Sequence, residues 1–299
     1  MKKKLIGYSL VSVSALATFI IIAVFAFMVI EIIIGGKNNF TWEFLTSFPK
    51  DGMTSGGIFP AIVGTVLLVL VMSIAGIPIG TITAIYLSEY AKKSSFFTKM
   101  IRFAVNTLAG IPSIVFGLFG LGFFVQFIGV GMDKAFTGAG QLRWGQPNLL
   151  WASMTMALLT VPVVIVSVEE ALRRVPDDLR AASLALGATK LQTIFKIVLP
   201  NSVSGILTGA ILAVGRGAGE VAPILFTGAA YFLPNIPHSL SDQFMNLGYH
   251  IYIMSTQSTD VEATKGIQYA TVLVLLIVTF GLNFSAVIIR YRLRKKYNN

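Results

Sequence analysis

The feature that most constrains this chain is a series of long apolar runs separated by short polar stretches. A helix of about 20 apolar residues crosses the roughly 30 Å of hydrocarbon in a bilayer. Because lipid offers the backbone no hydrogen bonds, such runs form helices. The runs lie near 8–34, 58–87, 104–130, 149–168, 203–232 and 268–290. The chain is therefore predicted to be all-α, an integral membrane protein with about six transmembrane helices.

The scarcity of charge agrees with a membrane fold. Only 12% of the residues are charged and 55% are hydrophobic, whereas soluble domains carry about 25% charged residues. The chain has no cysteine, which excludes disulfides, thiolate metal sites and a cysteine nucleophile. Its two histidines, His238 and His250, are too few for a histidine-based metal cluster, and both are expected in a loop. No metal and no cofactor are predicted.

The net charge of +10 is of a size that often indicates nucleic-acid binding. Here the basic residues lie between and beyond the apolar runs, where membrane topology explains them. The expected partner is therefore membrane lipid, and no nucleic acid. One side of the predicted membrane receives 17 lysines and arginines and the other receives five. This bias places the first side, together with both chain ends, in the cytoplasm.

The chain is predicted to form a single transmembrane domain. The first apolar run, about Leu5 to Ile34, is longer than the apolar part of a signal peptide and is expected to remain as a helix. The predicted parts of the domain, which spans 1–299, are a first helix with an external loop at 1–55, a core at 56–299 and a cytoplasmic loop within that core at 169–204.

Acidic residues near the predicted membrane ends are expected to lie at the surface. Glu89 begins a cytoplasmic loop and is predicted to be solvated. Glu169 and Glu170 are spaced for surface pairs with Arg173 and Arg174 on one helix. Paired carboxylates can carry acid–base chemistry. A membrane enzyme would need a nucleophile or a binding cleft beside them, and the sequence indicates neither.

The cytoplasmic loop carries the strongest local pattern. Pro176 and the two aspartates after it form a helix-start signal, and a short helix is predicted over Asp178–Leu186. Gly187 suits a helix C-cap, a second short helix begins near Thr189, and Pro200 is expected to stop it. The prediction is a helix–glycine–helix elbow over 177–200, outside the bilayer. From these residues alone, an amphipathic loop resting on lipid headgroups is an equal alternative.

The spacing of this elbow resembles the loop signature of permease subunits of ATP-binding-cassette (ABC) importers. That signature is Glu-Ala-Ala, three residues, Gly, nine residues, Ile, one residue and Leu-Pro. Its later part is matched by Gly187, Ile197, Leu199 and Pro200, whereas Ala181-Ala182-Ser183 stands where the family has Glu-Ala-Ala. The glutamate is missing, so a salt bridge made by it is not implied.

The resemblance implies a type I importer permease fold of the MetI-like kind, in which the elbow is a coupling helix that contacts a cytoplasmic ATPase. The residues implied in that contact are Ala182, Gly187, Ile197, Leu199 and Pro200. The chain contains no Gly-x-x-x-x-Gly-Lys-Ser/Thr phosphate loop. It is therefore expected to be a transport subunit and not an enzyme, with ATP hydrolysed on another chain.

The fifth apolar segment contains an intramembrane charge pair. Arg216 and Glu220 stand four residues apart among glycines, with Pro223 just beyond. A charge at the centre of a membrane helix costs about 2.5–3.5 kcal/mol on insertion scales and usually faces a partner or a water-filled path. The pair either holds two helices together, or Arg216 meets an anionic substrate that Glu220 helps to release. The planar donor fork of arginine suits phosphate-like oxyanions.

A closer resemblance favours the second interpretation. The run Ala181–Ala230 is similar to A-type permeases of phosphate (Pst) importers, and so is Gly110–Gly117; the likeness begins near residue 55. It implies import of inorganic phosphate across a bacterial cell membrane, with Arg216 in the phosphate pathway. It also implies these partners: a second, PstC-like permease, two PstB-like ATPase subunits and an extracytoplasmic PstS-like phosphate-binding protein. Sulfate or molybdate is the alternative substrate. An ion-coupled secondary transporter is the alternative mechanism, in which the elbow would have no role.

Overall fold

The computed structural model of the chain describes residues 2–50, 55–92, 94–136, 142–258 and 261–297. Within these ranges, six helical stretches are long and apolar enough to cross a membrane. They are Leu10–Gly36, Phe59–Tyr90, Ser113–Phe136, Leu149–Arg173, Lys190–Gly219 and Thr264–Leu293. The predicted all-α membrane fold with six transmembrane helices is therefore confirmed. Residues 51–54 of the first predicted external loop lie outside the described residues.

Among the described residues, the elements are helices and one short antiparallel pair of strands. In chain order they are α1 (Lys2–Gly36), α2 (Trp42–Thr46), β1 (Pro49–Lys50), β2 (Ser55–Gly56), α3 (Phe59–Ile85), α4 (Phe96–Gly110), α5 (Ser113–Phe119), α6 (Val130–Phe136), α7 (Leu149–Arg173), α8 (Asp177–Ala185), α9 (Lys190–Thr193), α10 (Leu199–Gly219), α11 (Leu247–Thr256) and α12 (Val261–Tyr297). The π-helical segments are Tyr86–Tyr90, Gly120–Gly129 and Ile194–Val198. β1 and β2 pair antiparallel, with Pro49 opposite Gly56.

The centre of the bundle is the packing of α3, α7 and α10. Small residues bring these helices close together: a β-carbon at Gly76 of α3 would lie 3.4 Å from Ala157 of α7. At Gly209 of α10, a β-carbon would lie 3.0 Å from Ser167 of α7. Such positions let helix backbones approach closely where lipid supplies no hydrophobic drive. α12 packs beside α10, and α1 lies against α12.

The third predicted segment, 104–130, is wrong at its start. Pro112 has no N–H and disfavours helical backbone in the residue before it, and Ile111 is extended, with φ −76° and ψ 133°. The chain therefore breaks after Gly110. The residues before the break belong to α4, whose Phe96 and Phe103 are exposed, and the membrane-length helix begins at Ser113.

The fifth predicted segment, 203–232, is too long at its end. α10 stops at Gly219, and Glu220 is extended with ψ 132°. Pro223 explains the stop, because it has no N–H to donate to the carbonyl four residues earlier, and glycine lowers helix propensity there. Residues 221–232 continue as turns and loop. A helix end thus lies inside the bundle, where the sequence had predicted a continuous helix.

The region after this break is folded into the protein. The N-terminus of α11 is held by Thr65 of α3, whose Oγ1 accepts hydrogen bonds from Leu247 N at 2.9 Å and Asn246 Nδ2 at 3.3 Å. His238 lies in a loop as expected, but His250 lies in α11 and is buried, so its loop assignment is wrong. Burial lowers the pKa of His250 to about 4, and the imidazole is therefore neutral.

Candidate functional site

The predicted charge pair lies at the C-terminal end of α10. Arg216 is in the last turn of the helix and Glu220 is the first residue beyond it. Arg216 Nε lies 3.4 Å from Glu220 Oε1, and the two side chains are 40% and 25% exposed. A cation in the last helical turn is favoured by the helix dipole. The pair is formed but long for a hydrogen bond, and both side chains are partly exposed.

The composition of this pair bears on the two interpretations left open by the sequence. Both charges belong to one helix end, and within the described ranges the ion pair includes no residue of a second helix. Among the described residues, no hydrogen-bond acceptor contacts the Nη atoms of Arg216. The guanidinium is 40% exposed and therefore has donors that no described residue uses. This arrangement suits a site that receives an anion better than a clamp between two helices.

Two helices, α3 and α12, pack against glycines near the C-terminal end of α10. A β-carbon at Gly217 would lie 2.5 Å from Met72 Sδ, so α3 packs directly on the last turn of α10. At Gly215 a β-carbon would lie 3.1 Å from Asn283 Nδ2 of α12. The Asn283 Oδ1 atom is buried and accepts no hydrogen bond from the described residues. The two residues that flank Arg216 are thus enclosed, while Arg216 itself is exposed.

The extended turn beyond Glu220 is also covered. A β-carbon at Gly117 of α5 would lie 2.9 Å from the carbonyl oxygen of Ala222, so the third span packs on this turn. A β-carbon at Gly248 of α11 would lie 2.8 Å from Val221 Cγ2. The sequence singled out the run that contains Gly117 but did not predict its contact with the turn. Five helices therefore meet around the end of α10: α3, α5, α11, α12 and α10 itself.

The predicted elbow is present. α8 begins at Asp177, one residue before its predicted start, and Gly187 has a φ of +83°. Gly187 N donates to Leu184 O at 3.0 Å and Ala188 N donates to Ser183 O at 3.2 Å. These two bonds form a Schellman motif, which needs a left-handed residue at the position of Gly187. The glycine cap follows from local backbone chemistry, which is why the sequence could predict it.

The base of the elbow differs from the prediction. Pro200 does not stop the second helix: it lies in the first turn of α10, and one helical stretch runs over Lys190–Gly219. The π-helical segment Ile194–Val198 directly precedes it. A π-helical turn shifts the backbone pairing by one residue, so the ring of Pro200 is accommodated without ending the helix. Thr189 caps the start of this helix through a capping box with Gln192.

The implied contact residues fall into two groups. Ala182 and Gly187 are exposed at the tip of the elbow, whereas Ile197, Leu199 and Pro200 are half-buried at its base. α8 buries none of its residues. The exposed apolar side chains of the elbow are Leu179, Leu184, Leu186, Leu191 and Phe195, and the most exposed of them is Leu186, at 90%. Several exposed apolar side chains on one short loop are a feature that protein interaction sites commonly show.

The substitution of serine for the last alanine of the family signature has a structural role. Ser183 Oγ lies 2.9 Å from Thr193 Oγ1, and Thr193 Oγ1 donates in turn to Thr189 O at 3.1 Å. The hydroxyl chain joins α8 to α9 across the glycine bend. The departure at this position therefore stabilises the elbow.

The structure corrects the surface assignment of Glu89 and Glu169. The Glu89 side chain is 8% exposed, and its Oε1 lies 2.9 Å from Arg180 Nη2. The Glu169 side chain is 10% exposed, and its Oε1 lies 2.6 Å from both Arg102 and Arg173. The predicted pair with Arg173 is present, but Glu169 itself is buried and is shared between Arg173 and Arg102. The partners Arg102 and Arg180 are distant in sequence, so helical spacing could not indicate them.

Comparisons with known proteins identify the family of this chain. A family model described as binding-protein-dependent transport system inner membrane component matches residues 76–299. The phosphate transport system permease protein PstA of Yersinia pestis is 42% identical over 197 residues, which cover 66% of this chain and 57% of that relative. Phosphate transport system permease protein PstA 1 of Mycobacterium tuberculosis is 33% identical, over 79% of this chain and 71% of that relative.

A solved structure shares the whole architecture. A chain of a bacterial alginate ABC transporter, crystallised with an alginate pentasaccharide-bound periplasmic protein, superposes with a TM-score of 0.69. The match covers 96% of this chain and 95% of that chain, at 18% identity. At this identity the likeness concerns the fold alone. The predicted MetI-like fold of a type I importer permease is confirmed.

Proposed function

The chain belongs to the family of binding-protein-dependent transport system inner membrane components, and from this premise we propose that it conducts inorganic phosphate into the cytoplasm. The family membership makes it a permease subunit of an ABC importer. The single observation that carries the substrate is the exposed Arg216 guanidinium at an interrupted helix end, with donors left over from its pair with Glu220. Two relatives are named as phosphate transport permeases.

The chemistry of the pair suits transient binding of an anion better than tight binding. The guanidinium fork binds two oxygens of a tetrahedral oxyanion, which gives both energy and orientation. Glu220 competes with the anion for the same guanidinium, because the two acceptors carry the same sign of charge. A conducting site must also release its ligand. When the anion leaves, Arg216 returns to Glu220, so the empty site does not keep an uncompensated charge.

The elbow supplies the proposed link to ATP. We assign its exposed apolar surface, centred on Leu186, to contact with an ATPase subunit, as the family resemblance implies. Ala182 and Gly187 belong to that contact, while Ile197, Leu199 and Pro200 fix the elbow to α10. The proposed complex contains a second permease, two ATPase subunits and an extracytoplasmic phosphate-binding protein.

The proposed orientation places the elbow in the cytoplasm. Six crossings put both chain ends and the loop before the fifth span on one side of the membrane. That side carries most of the lysines and arginines, as expected for the cytoplasmic face. ATP is available there, so the orientation and the proposed ATPase contact support each other.

The proposed substrate is tested by competition. In vesicles that contain the complete reconstituted complex, ATP-dependent uptake of labelled phosphate should be suppressed by unlabelled phosphate and should persist in excess sulfate or molybdate. The reason is that the oxyanions differ in charge and protonation, which the pair of Arg216 and Glu220 can distinguish. Vesicles with the complex but no ATP are the control. Equal competition by sulfate would show a general oxyanion permease instead.

A further inference from the structure

One arginine of α8, Arg180, attaches this helix to α7 and to the end of the α3 stretch. α8 buries none of its residues, yet the Arg180 side chain is only 18% exposed. Its Nη2 donates to Leu172 O at 2.8 Å, and its Nη1 donates to Val175 O at 2.5 Å. These carbonyls lie at the end of α7 and just after it. Arg180 thus caps α7 from the elbow.

The same guanidinium reaches a third helix. Arg180 Nη2 lies 2.9 Å from Glu89 Oε1, and Glu89 lies in the π-helical segment that ends the α3 stretch. The Glu89 carboxylate is buried, so separating it from Arg180 would leave an uncompensated charge in a poorly solvated place. The contact therefore resists separation when the elbow is displaced.

The second half of the elbow contacts the same end of α3. Lys190 Nζ of α9 lies 5.0 Å from the ring centroid of Tyr90, the residue after Glu89. This distance is within the range of a cation–π interaction. Both helices of the elbow are therefore joined to the segment Tyr86–Tyr90 by charged side chains.

These contacts matter because α3 has no covalent link to the elbow. The chain itself joins the elbow to α7 before it and to α10 after it, so those helices follow any displacement. α3 can follow the elbow in two ways: through its packing on α7 and α10, and directly through the side-chain contacts of Arg180 and Lys190. Met72 of α3 lies about 25 Å from Glu89 along the helix. It packs on Gly217, beside Arg216.

We propose that Arg180 is a positioning residue that transmits displacement of the elbow to α3, and that α3 then shifts Met72 against Gly217 to change the exposure of Arg216. The inference rests on the proposed function of the elbow and of the charge pair, and it adds the route between them. Coupling between distant sites requires packed elements with two arrangements. The chain is helical from Met72 to Glu89, through α3 with Pro78 inside it and then through the π-helical segment Tyr86–Tyr90.

A thiol probe beside the site tests this route. The chain has no native cysteine, and a β-carbon at Gly219 would meet no atom within 4 Å, so Gly219→Cys places one exposed thiol next to Glu220. In the reconstituted complex, labelling of this chain by a maleimide is measured without nucleotide and with ATP trapped on the ATPase. The labelling rate of Gly219→Cys is expected to change with nucleotide.

The decisive comparison adds Arg180→Met to the probe. The nucleotide-dependent change in labelling should be lost while the complex still hydrolyses ATP, a combination that a merely structural role would not produce. Arg174→Met, which removes an exposed arginine from the same loop, should keep the change. If Arg180→Met prevents assembly, Glu89→Gln decides, because it keeps the side-chain volume but removes the carboxylate charge that attracts Arg180; it too should lose the change.

Retention of the nucleotide-dependent change in an assembled Arg180→Met complex, or in Glu89→Gln where that variant decides, would overturn the inference. The inference would also be overturned if the labelling rate of Gly219→Cys did not change with nucleotide. Phosphate uptake is measured separately, in vesicles with a complex that carries none of these substitutions. If uptake is absent while labelling still responds to nucleotide and depends on Arg180, the phosphate proposal fails and the transmission route stands.

Discussion

Replacement of Arg216 by glutamine is expected to reduce ATP-dependent phosphate uptake by about 100-fold or more, while the complex still assembles. Glutamine keeps hydrogen-bonding capacity but loses the positive charge, and hydrogen bonds to charged groups contribute about 1.5–3 kcal/mol each. A bidentate contact with an oxyanion loses two of them. Initial uptake rates in reconstituted vesicles, at equal amounts of complex, give the measurement.

The matched control for this change is Arg174→Gln, which removes an exposed arginine outside the proposed pathway and should transport normally. Arg216→Lys should retain part of the activity, because it keeps the charge but loses the fork. Copurification of the partner subunits reports assembly. If Arg216→Gln left phosphate uptake intact, or if it acted only by preventing assembly, the pathway assignment would be wrong.

Replacement of Gly187 by leucine is expected to abolish ATP-driven transport and the stimulation of the ATPase, while the chain still inserts and binds its second permease. The cause is conformational: Gly187 has a φ of +83°, and a left-handed backbone costs a residue with a β-carbon about 1–2 kcal/mol. No atom would clash, since nothing lies within 4 Å of a β-carbon there. The strain therefore reorients the exposed tip of the elbow.

Two further variants distinguish the effect of the backbone conformation at Gly187 from the effect of added side-chain volume. Gly187→Asn should retain most of the activity, because asparagine tolerates the left-handed conformation. Ala185→Leu adds a similar side chain at an exposed helical position and tests bulk alone. Stimulation of ATP hydrolysis by the loaded binding protein is the measurement. Normal transport by Gly187→Leu would mean that the elbow does not couple to an ATPase.

The elements that sequence could predict are those set by local chemistry or by the bilayer. The six spans follow from run length, and the bend at Gly187 follows from a helix that must end in a left-handed residue. In both cases the physical cause acts within one segment. The same holds for the pairing of Arg216 with Glu220, whose four-residue spacing brings the charges to one helix end.

The errors have a common cause in packing and backbone detail. Pro200 was predicted as a stop, but a π-helical segment before it changes the pairing that proline would disrupt. The end of α10 at Gly219 depends on Pro223. This proline is visible in the sequence, but the hydropathy of the segment does not indicate that the helix ends before it. The burial of Glu89 could not be predicted, because its partner Arg180 is brought to it only by the packing of α3 and α7.

The central claim is that this chain passes phosphate in a process driven by ATP on another subunit. The most direct measurement is uptake of labelled phosphate into vesicles that contain the complete complex, with ion gradients collapsed by ionophores. If the claim holds, uptake requires hydrolysable ATP and the binding protein and is unchanged by the ionophores. Uptake that continues without ATP and stops when the ion gradient collapses would contradict it and would indicate a secondary transporter.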